Sequence, residues 1–376
     1  MTEARAPLSV LHIGGGRYRP DDRGHATFAI WRELARGFRR YTVIGRSTAP
    51  EAARLEEGNL AVHLLPSRWG SDAEFLLTQF RALPLARELR PDVVVVQCPV
   101  LGGLAARRIA RETGARVLVE FHGAHFFAEG PRASREGVIR ALTPAGLRRA
   151  HRIRVLSAGM RDRLGARYGA DLLGRTVVLP PRVDLSRFRS VKQDRRIDGR
   201  PKVVMVGSVT PRKRQAAFLR AVLPALPDLE VWIVGTGPDL PECRAIAERL
   251  GATDRVRFWG QVDHATLAGL LPRADALVLF SVSEGTPRAI LEGMAAGLPI
   301  VTTDAGFCAD IVAHEVEGFV LGPDPEREVA ARLSELLADE GLRARMGEAA
   351  RRRAEREFDA EVLYDRYRAL IRETAA

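Results

Sequence analysis

Short apolar runs alternate with amphipathic stretches from one end of the chain to the other. LSVLHIGG (8–15), YTVIGR (41–46), LAVHLLP (60–66), DVVVVQCP (92–99), RVLVEFHG (116–123), RIRVLS (152–157) and TVVLPP (176–181) read as strands. Most are nearly unbroken, as expected for strands covered on both faces. ATFAIWRELARGF (26–38) and PVLGGLAARRIARETG (99–114) lie between them and read as helices. The pattern predicts a parallel, doubly wound α/β domain over 1–185. SRFRSVKQDRRIDGRP (186–201) is polar and basic and has the composition of a linker. The alternation then restarts with KVVMVGSV (202–209), LEVWIVGTG (229–237), VRFWGQV (256–262), ADALVLFS (274–281), LPIVTTD (298–304) and GFVLGP (318–323). This predicts a second α/β domain over 202–356. The tail reads as helical throughout, with Phe358, Val362, Leu363, Tyr367, Leu370 and Ile371 on one apolar face. A final helix, 357–376, is expected to pack back toward the N-terminal domain. Two such domains leave a cleft, and ligands of such sheets bind beyond the carboxyl ends of the strands.

Composition narrows the function. A chain of 376 residues is too long for one ordinary core. No apolar run approaches the ~20 residues that span a bilayer. The start, MTEARAPLSVLHIGGG, reads as a first strand and not as a signal peptide. Cys98, Cys243 and Cys308 are far apart, which argues for a reducing compartment and against a disulfide scaffold or zinc ribbon. A cytoplasmic protein is expected. The net charge is +11, and Lys192, Lys202 and Lys213 are its only lysines among a large excess of arginine. There is no zinc finger, helix-turn-helix or basic-aromatic signature, so nucleic acid ranks last among the anionic partners. Polyphosphate substrates and an anionic membrane face remain.

Chemistry concentrates in SVSEGTPRAILEGMAAGLPIV (281–301). A buried strand precedes it, and PRAILEGMAAG has helical spacing. Thr286 suits the cap, Pro287 the first turn and Gly297 the stop. Backbone N–H groups near Gly285, with the helix dipole, would make an anion site. Carboxylates beside such a site would repel a bare phosphate. Glu284 and Glu292 make sense as acceptors from hydroxyls on either side of one. A nucleoside diphosphate sugar has that layout.

The extended string SEGTPRAILEGMAAGLPIVTTDAGFCADIV closely resembles the E-x7-E region of family 4 glycosyltransferases, retaining enzymes of the GT-B fold. RPDVVVVQCP, VLSAGM, LPPRVDLSRF and FWGQVDHATLAGLLPRADALVLFS follow in the family's order, so the resemblance covers essentially the whole chain. It implies two Rossmann-like domains facing a central cleft, the N-terminal one binding acceptor and the C-terminal one the donor nucleotide. It implies that Glu284 meets donor-sugar hydroxyls and Glu292 the ribose, with Gly285, Thr286 and Pro287 facing sugar and diphosphate. Lys213 matches the lysine that clamps the diphosphate. The usual arginine beside it is Ser208 here, and Arg212 is placed to supply the missing charge. Gly24 matches the first glycine of a Gly-Gly turn whose second is replaced by His25. His122 matches a histidine near the reacting anomeric centre. Phe307 and Asp310 stand where the family often has glycine and glutamate.

The expected reaction is retaining transfer from a nucleoside diphosphate sugar to an acceptor hydroxyl, by front-face attack, with no metal or other cofactor required. UDP-sugars rank slightly ahead of GDP-sugars. A sugar, glycolipid or small molecule is the expected acceptor, in envelope or natural-product glycosylation. His122 and His125 have no accompanying zinc ligands, so metal binding ranks below a polar role. The alternatives are a sugar-nucleotide epimerase on this fold and an inactive glycosyltransferase-like binding protein. Arginine-rich RASREGVIRALTPAGLRRAHRIR (132–154) adds peripheral contact with an anionic inner membrane face as an expectation.

Overall fold

The computed structural model describes residues 7–20, 26–66, 72–122, 135–188, 199–285 and 287–376. Gly24, His25, His125, Lys192 and Thr286 lie outside the described residues. The chain divides into two compact units, Met1–Leu179 with Leu363–Ala376, and Pro180–Val362.

The first unit contains β1 (Ser9–Tyr18), α1 (Ala26–Ala35), β2 (Arg40–Ser47), β3 (Ala53–Glu57), β4 (Leu60–Leu65), α2 (Asp72–Leu89), β5 (Val93–Val96), α3 (Leu101–Thr113), β6 (Arg116–Phe121), α4 (Arg135–Leu147), β7 (Arg152–Val155), α5 (Ala158–Tyr168) and β8 (Thr176–Val178). Its sheet has the order β3-β4-β2-β1-β5-β6-β7-β8. Every neighbouring pair is parallel except β3 with β4. The apolar pattern gave no sign of β3, because ARLEE is a solvent-facing edge strand with little to bury. The triple glycine, residues 14–16, lies inside β1, where pairing with β2 slips between Ile13 and Arg17.

The second unit contains β9 (Lys202–Val206), α6 (Gln215–Val222), β10 (Glu230–Val234), α7 (Leu240–Arg249), β11 (Val256–Gly260), α8 (His264–Leu270), β12 (Ala276–Leu279), α9 (Arg288–Ala295), β13 (Ile300–Thr303), α10 (Cys308–Ile311), β14 (Gly318–Leu321), α11 (Pro325–Ala338) and α12 (Glu340–Glu357). Its sheet is wholly parallel, in the order β11-β10-β9-β12-β13-β14. Successive residues of each strand point to opposite faces. Val203, Met205, Val231, Ile233 and Val278 enter one core, while Val204, Trp232, Val234, Leu277 and Leu279 enter the other. Both faces are apolar, and that is why the strand sequences do not alternate.

The tail, helical as read, divides into α11, α12 and a last helix, α13 (Ala360–Ala375), which falls within the expected 357–376. Asp339 breaks the first join, its carboxylate accepting from the N–H of Leu342 at 2.9 Å. The expected apolar face also divides. Phe358 enters the second unit's core, Leu363, Tyr367, Leu370 and Ile371 enter the first unit's core, and Val362 is exposed. All three cysteines are free and buried. Burial pushes the thiols of Cys243 and Cys308 up to about 11 and about 12, which keeps them protonated and unreactive.

Candidate active site

Chain order in the second sheet reverses between β9 and β12. β10 and β11 continue to one side, β13 and β14 to the other. This is the topological switch point, where the loops leaving two adjacent strands separate and open a crevice. Lys213 follows β9 and Glu284 follows β12, so the sequence candidates fall on these two loops. The loops are stitched together. Val282 N–H donates to Arg212 O at 2.9 Å, and Arg212 Nη1 donates to Ser283 O at 2.7 Å. Lys213 Nζ lies 2.6 Å from Glu284 Oε1, and Arg212 Nη1 lies 3.7 Å from Oε2. The lysine and glutamate side chains are only 12% and 4% exposed, so this is a buried pair and not a solvated loop contact. Thr210 Oγ1 and Ser281 Oγ, on the same two loops, are buried without a hydrogen-bond partner among the described residues. Ser208 is exposed, and its carbonyl accepts from Gln215 Nε2 at 3.1 Å.

Two glycines let backbones approach closely enough to set these loops. Gly235 has φ +144°, and a Cβ there would lie 2.0 Å from Gly207 O. Gly306 has φ +67°, and a Cβ there would lie 2.1 Å from Glu284 O. Gly306→Ala therefore meets both a disfavoured conformation and a backbone clash. It is expected to cost about 1–3 kcal/mol in thermal unfolding. By displacing Glu284 it should also lower activity more than a surface substitution of equal cost.

Pro287 occupies the capping position of α9 and makes no side-chain cap, which corrects its placement in the first turn. Glu292 lies within α9 and is 13% exposed, with His264 Nδ1 at 4.0 Å. Burial raises its pKa, and Arg288 and Arg187 oppose the shift. The helix closes when Gly297 N–H bonds Met294 O and Leu298 N–H bonds Gly293 O, a Schellman ending. Cations cluster before α6, where the helix dipole disfavours them unless negative charge is near. In this structure protein carboxylates supply it: Glu284 for Lys213, and Glu326 for Arg214, whose guanidinium also lies 5.0 Å from the Phe280 ring centroid.

His122 belongs to the first unit, immediately after β6. Its ring is 35% exposed, with Nε2 3.3 Å from Oε2 of Glu120, which is 1% exposed. Sequence reasoning passed over Glu120, although a carboxylate inside the apolar run VLVEFH was a visible signal. Arg154 Nη1 and the Tyr367 hydroxyl donate to its Oε1 at 2.6 and 2.8 Å. His12 Nε2 lies 3.8 Å from Oε2. Burial alone would push the Glu120 acid up, but His122, Arg154 and His12 hold it well below the usual carboxylate range.

Residues 135–154 of the arginine-rich segment form α4 and the start of β7. Arg107, Arg111, Arg116, Arg148, Arg149 and Arg175 line an open hollow of about 730 Å³ at the amino ends of the strands. Arg111 sits in the last turn of α3, and Arg148 and Arg149 follow α4, where helix dipoles favour cations. Arg175 Nη1 donates to Arg148 O and Ala150 O at 3.1 and 2.8 Å. The fold itself thus accounts for much of this cluster. No helix among the described residues is long and apolar enough to cross a membrane.

Two doubly wound α/β units in one chain are the architecture of the GT-B fold. Sequence comparison gives the same answer. The family described as "Glycosyl transferases group 1" matches residues 187–353, and "Glycosyl transferase 4-like domain" matches 24–182. A GDP-mannose-dependent alpha-mannosyltransferase of Mycolicibacterium smegmatis is 30% identical over 314 residues, covering 81% of this chain and 80% of that protein. A D-inositol 3-phosphate glycosyltransferase of Salinispora arenicola is 35% identical over 212 residues, 50% of this chain and 47% of that protein. The match thus spans about half the length of that relative. The solved sucrose-phosphate synthase from Thermosynechococcus elongatus shares the fold, with TM-score 0.81 and 19% identity over 97% of this chain and 98% of that one. The chain belongs to the group 1, family 4 glycosyltransferases.

Proposed function

We propose that this protein transfers a sugar from a nucleoside diphosphate sugar to an acceptor hydroxyl, with retention at the anomeric carbon and without a metal ion. The observation that carries this reading is the buried Lys213–Glu284 pair on the two switch-point loops. An ammonium has three N–H donors, and Glu284 Oε1 engages one. The others are available to the departing diphosphate. Arg212 and the first-turn N–H groups of α9 add positive potential, so charge developing on the leaving group is met without Lewis-acid assistance. Glu284, held by Lys213, accepts from hydroxyls of the transferred sugar. The unpartnered hydroxyls of Thr210 and Ser281 gain partners in a ligand filling the same loops. The anomeric carbon becomes cation-like, and the leaving phosphate takes the acceptor proton as the new bond forms on the same face. His122, Gly24 and Thr286 complete the proposed donor contacts, with Gly285, Pro287 and Ser208 supplying backbone.

Glu292 is assigned to the ribose. Glu292→Ala should weaken binding of the free nucleoside diphosphate by roughly 10–100-fold, the value of a charged hydrogen bond. The sign of the pH effect follows from its raised pKa. The ionised form is the better acceptor, so affinity should fall as pH drops through that raised value, at a higher pH than for an ordinary carboxyl. Calorimetry across pH checks both statements, and unchanged affinity in the variant would place the ribose elsewhere.

The test of the reaction is nucleotide release from a panel of UDP- and GDP-sugars, with and without sugar and glycolipid acceptors. GDP-mannose belongs in that panel because the relative matched over four-fifths of its length depends on it by name. Acceptor-dependent release with a retained product anomer supports the proposal. Release of free nucleotide with epimerised sugar and no transfer product would refute it.

A further inference from the structure

The surroundings of Glu120 dictate more than its charge. Oε1 is committed, because Arg154 Nη1 lies at 2.6 Å and can only donate, and the Tyr367 hydroxyl lies at 2.8 Å. Burial, then Glu120 and Tyr41, push the Tyr367 phenol well above its ordinary value, so it keeps its proton and donates. Oε2 faces two imidazoles, His122 Nε2 at 3.3 Å and His12 Nε2 at 3.8 Å. His122 Nε2 is buried and makes no hydrogen bond among the described residues, its contact with Glu120 Oε2 falling short of one. The contact is longer and less linear than a full hydrogen bond, so its hold on the ring is largely electrostatic.

An ionised carboxylate can only accept. A nitrogen buried against it must therefore carry a proton. In a neutral imidazole that leaves the other nitrogen as an acceptor. His12 repeats the logic behind it: its Nδ1 lies 2.8 Å from the Tyr41 hydroxyl, which then donates. Two tyrosines, one arginine and two histidines are thus consistent with a single proton arrangement around one carboxylate.

We propose that Glu120 is a positioning residue that fixes His122 as the Nε2–H tautomer, so that Nδ1 is presented as an acceptor for a hydroxyl of the bound sugar substrate. The proposal rests on the transfer reading for that hydroxyl, but the tautomer itself does not depend on any substrate. No bond is made or broken at either residue. Glu120 acts through His122, and α13 contributes through Tyr367.

Glu120→Gln reverses the arrangement. Arg154 still requires an acceptor, so the amide oxygen stays with Arg154 and Tyr367, and the NH2 group faces the histidines. Nε2 of His122 then becomes the acceptor and Nδ1 takes the proton. Ring nitrogen NMR of 15N-histidine-labelled protein near pH 9 reads this directly, with the His122 signals assigned by their loss in His122→Gln. The expected result is Nε2–H in the wild type, Nδ1–H in Glu120→Gln, and Nε2–H again in Tyr367→Phe, which leaves Arg154 and the carboxylate in place. With substrate, folded Glu120→Gln should lose on the order of 100-fold in kcat with donor KM little changed, and Tyr367→Phe much less. If Glu120→Gln does not fold, the wild-type tautomer decides. An Nδ1–H wild type, or a folded Glu120→Gln with unchanged tautomer or unchanged kcat, overturns the proposal. A wild type without transferase activity would refute the transfer reading instead, while the tautomer still tests Glu120.

Discussion

Lys213→Ala should lower sugar transfer by about 100–1,000-fold, the usual effect of removing one preorganised donor to a developing negative charge. Two effects would be mixed in that variant. Glu284 would stay buried without the cation 2.6 Å away, and stranding a buried charge costs about 3–5 kcal/mol. A double-mutant cycle separates them. Lys213→Met and Glu284→Gln should each destabilise the protein. Together they should cost less than the sum, because neither then leaves an unpaired charge. Transfer should remain lost in the double variant. Thermal unfolding and initial rates on the four proteins check this. Recovery of activity along with stability would make the pair a structural ion pair and nothing more.

The second large effect belongs to Arg154. Its side chain is 5% exposed, is paired with Glu120, and also donates from Nε to Leu179 O at 3.1 Å. Arg154→Leu strands the Glu120 carboxylate among His12, His122 and Tyr367. About 3–5 kcal/mol should be lost at neutral pH, a fall in Tm on the order of 10 °C. The pH dependence has a definite sign. Glu120 has a folded-state pKa well below its ordinary value, so its stabilisation is complete above the unfolded value of about 4.3. It is lost as pH falls through the lowered folded-state value. The gap between wild type and Arg154→Leu should therefore narrow over that acid range. Denaturant melts at pH 7 and at acid pH measure it, and a gap independent of pH would remove Glu120 as its cause.

Much of the fold was legible because continuous apolar runs leave little choice but a sheet covered on both faces. Each run read as a strand coincides with or overlaps one, from Ser9 to Leu321. β3 was missed because an exposed edge carries no burial pattern. Helical spacing in the tail placed the start of the last helix near 357 but not the break at Asp339, which ends α11 and caps α12 through its own carboxylate. The candidate site was legible as motif but not as geometry. Nothing in the spacing said that Lys213 and Glu284, 71 residues apart, would pair with each other. Glu120 shows the converse. A lone carboxylate in a strand run demands partners, yet the sequence cannot say that Tyr367, 247 residues later, is one of them.

The central claim places an activated sugar's diphosphate on Lys213. Only three lysines, Lys192, Lys202 and Lys213, occur in the chain, so the claim can be read one residue at a time. Protein carrying 13Cε-lysine should give three side-chain signals, with that of Lys213 identified by its loss in Lys213→Arg. Titration with the donor that calorimetry selects should move the Lys213 signal and leave the other two nearly fixed. A donor that binds by calorimetry while the Lys213 signal stays where it was would contradict the account.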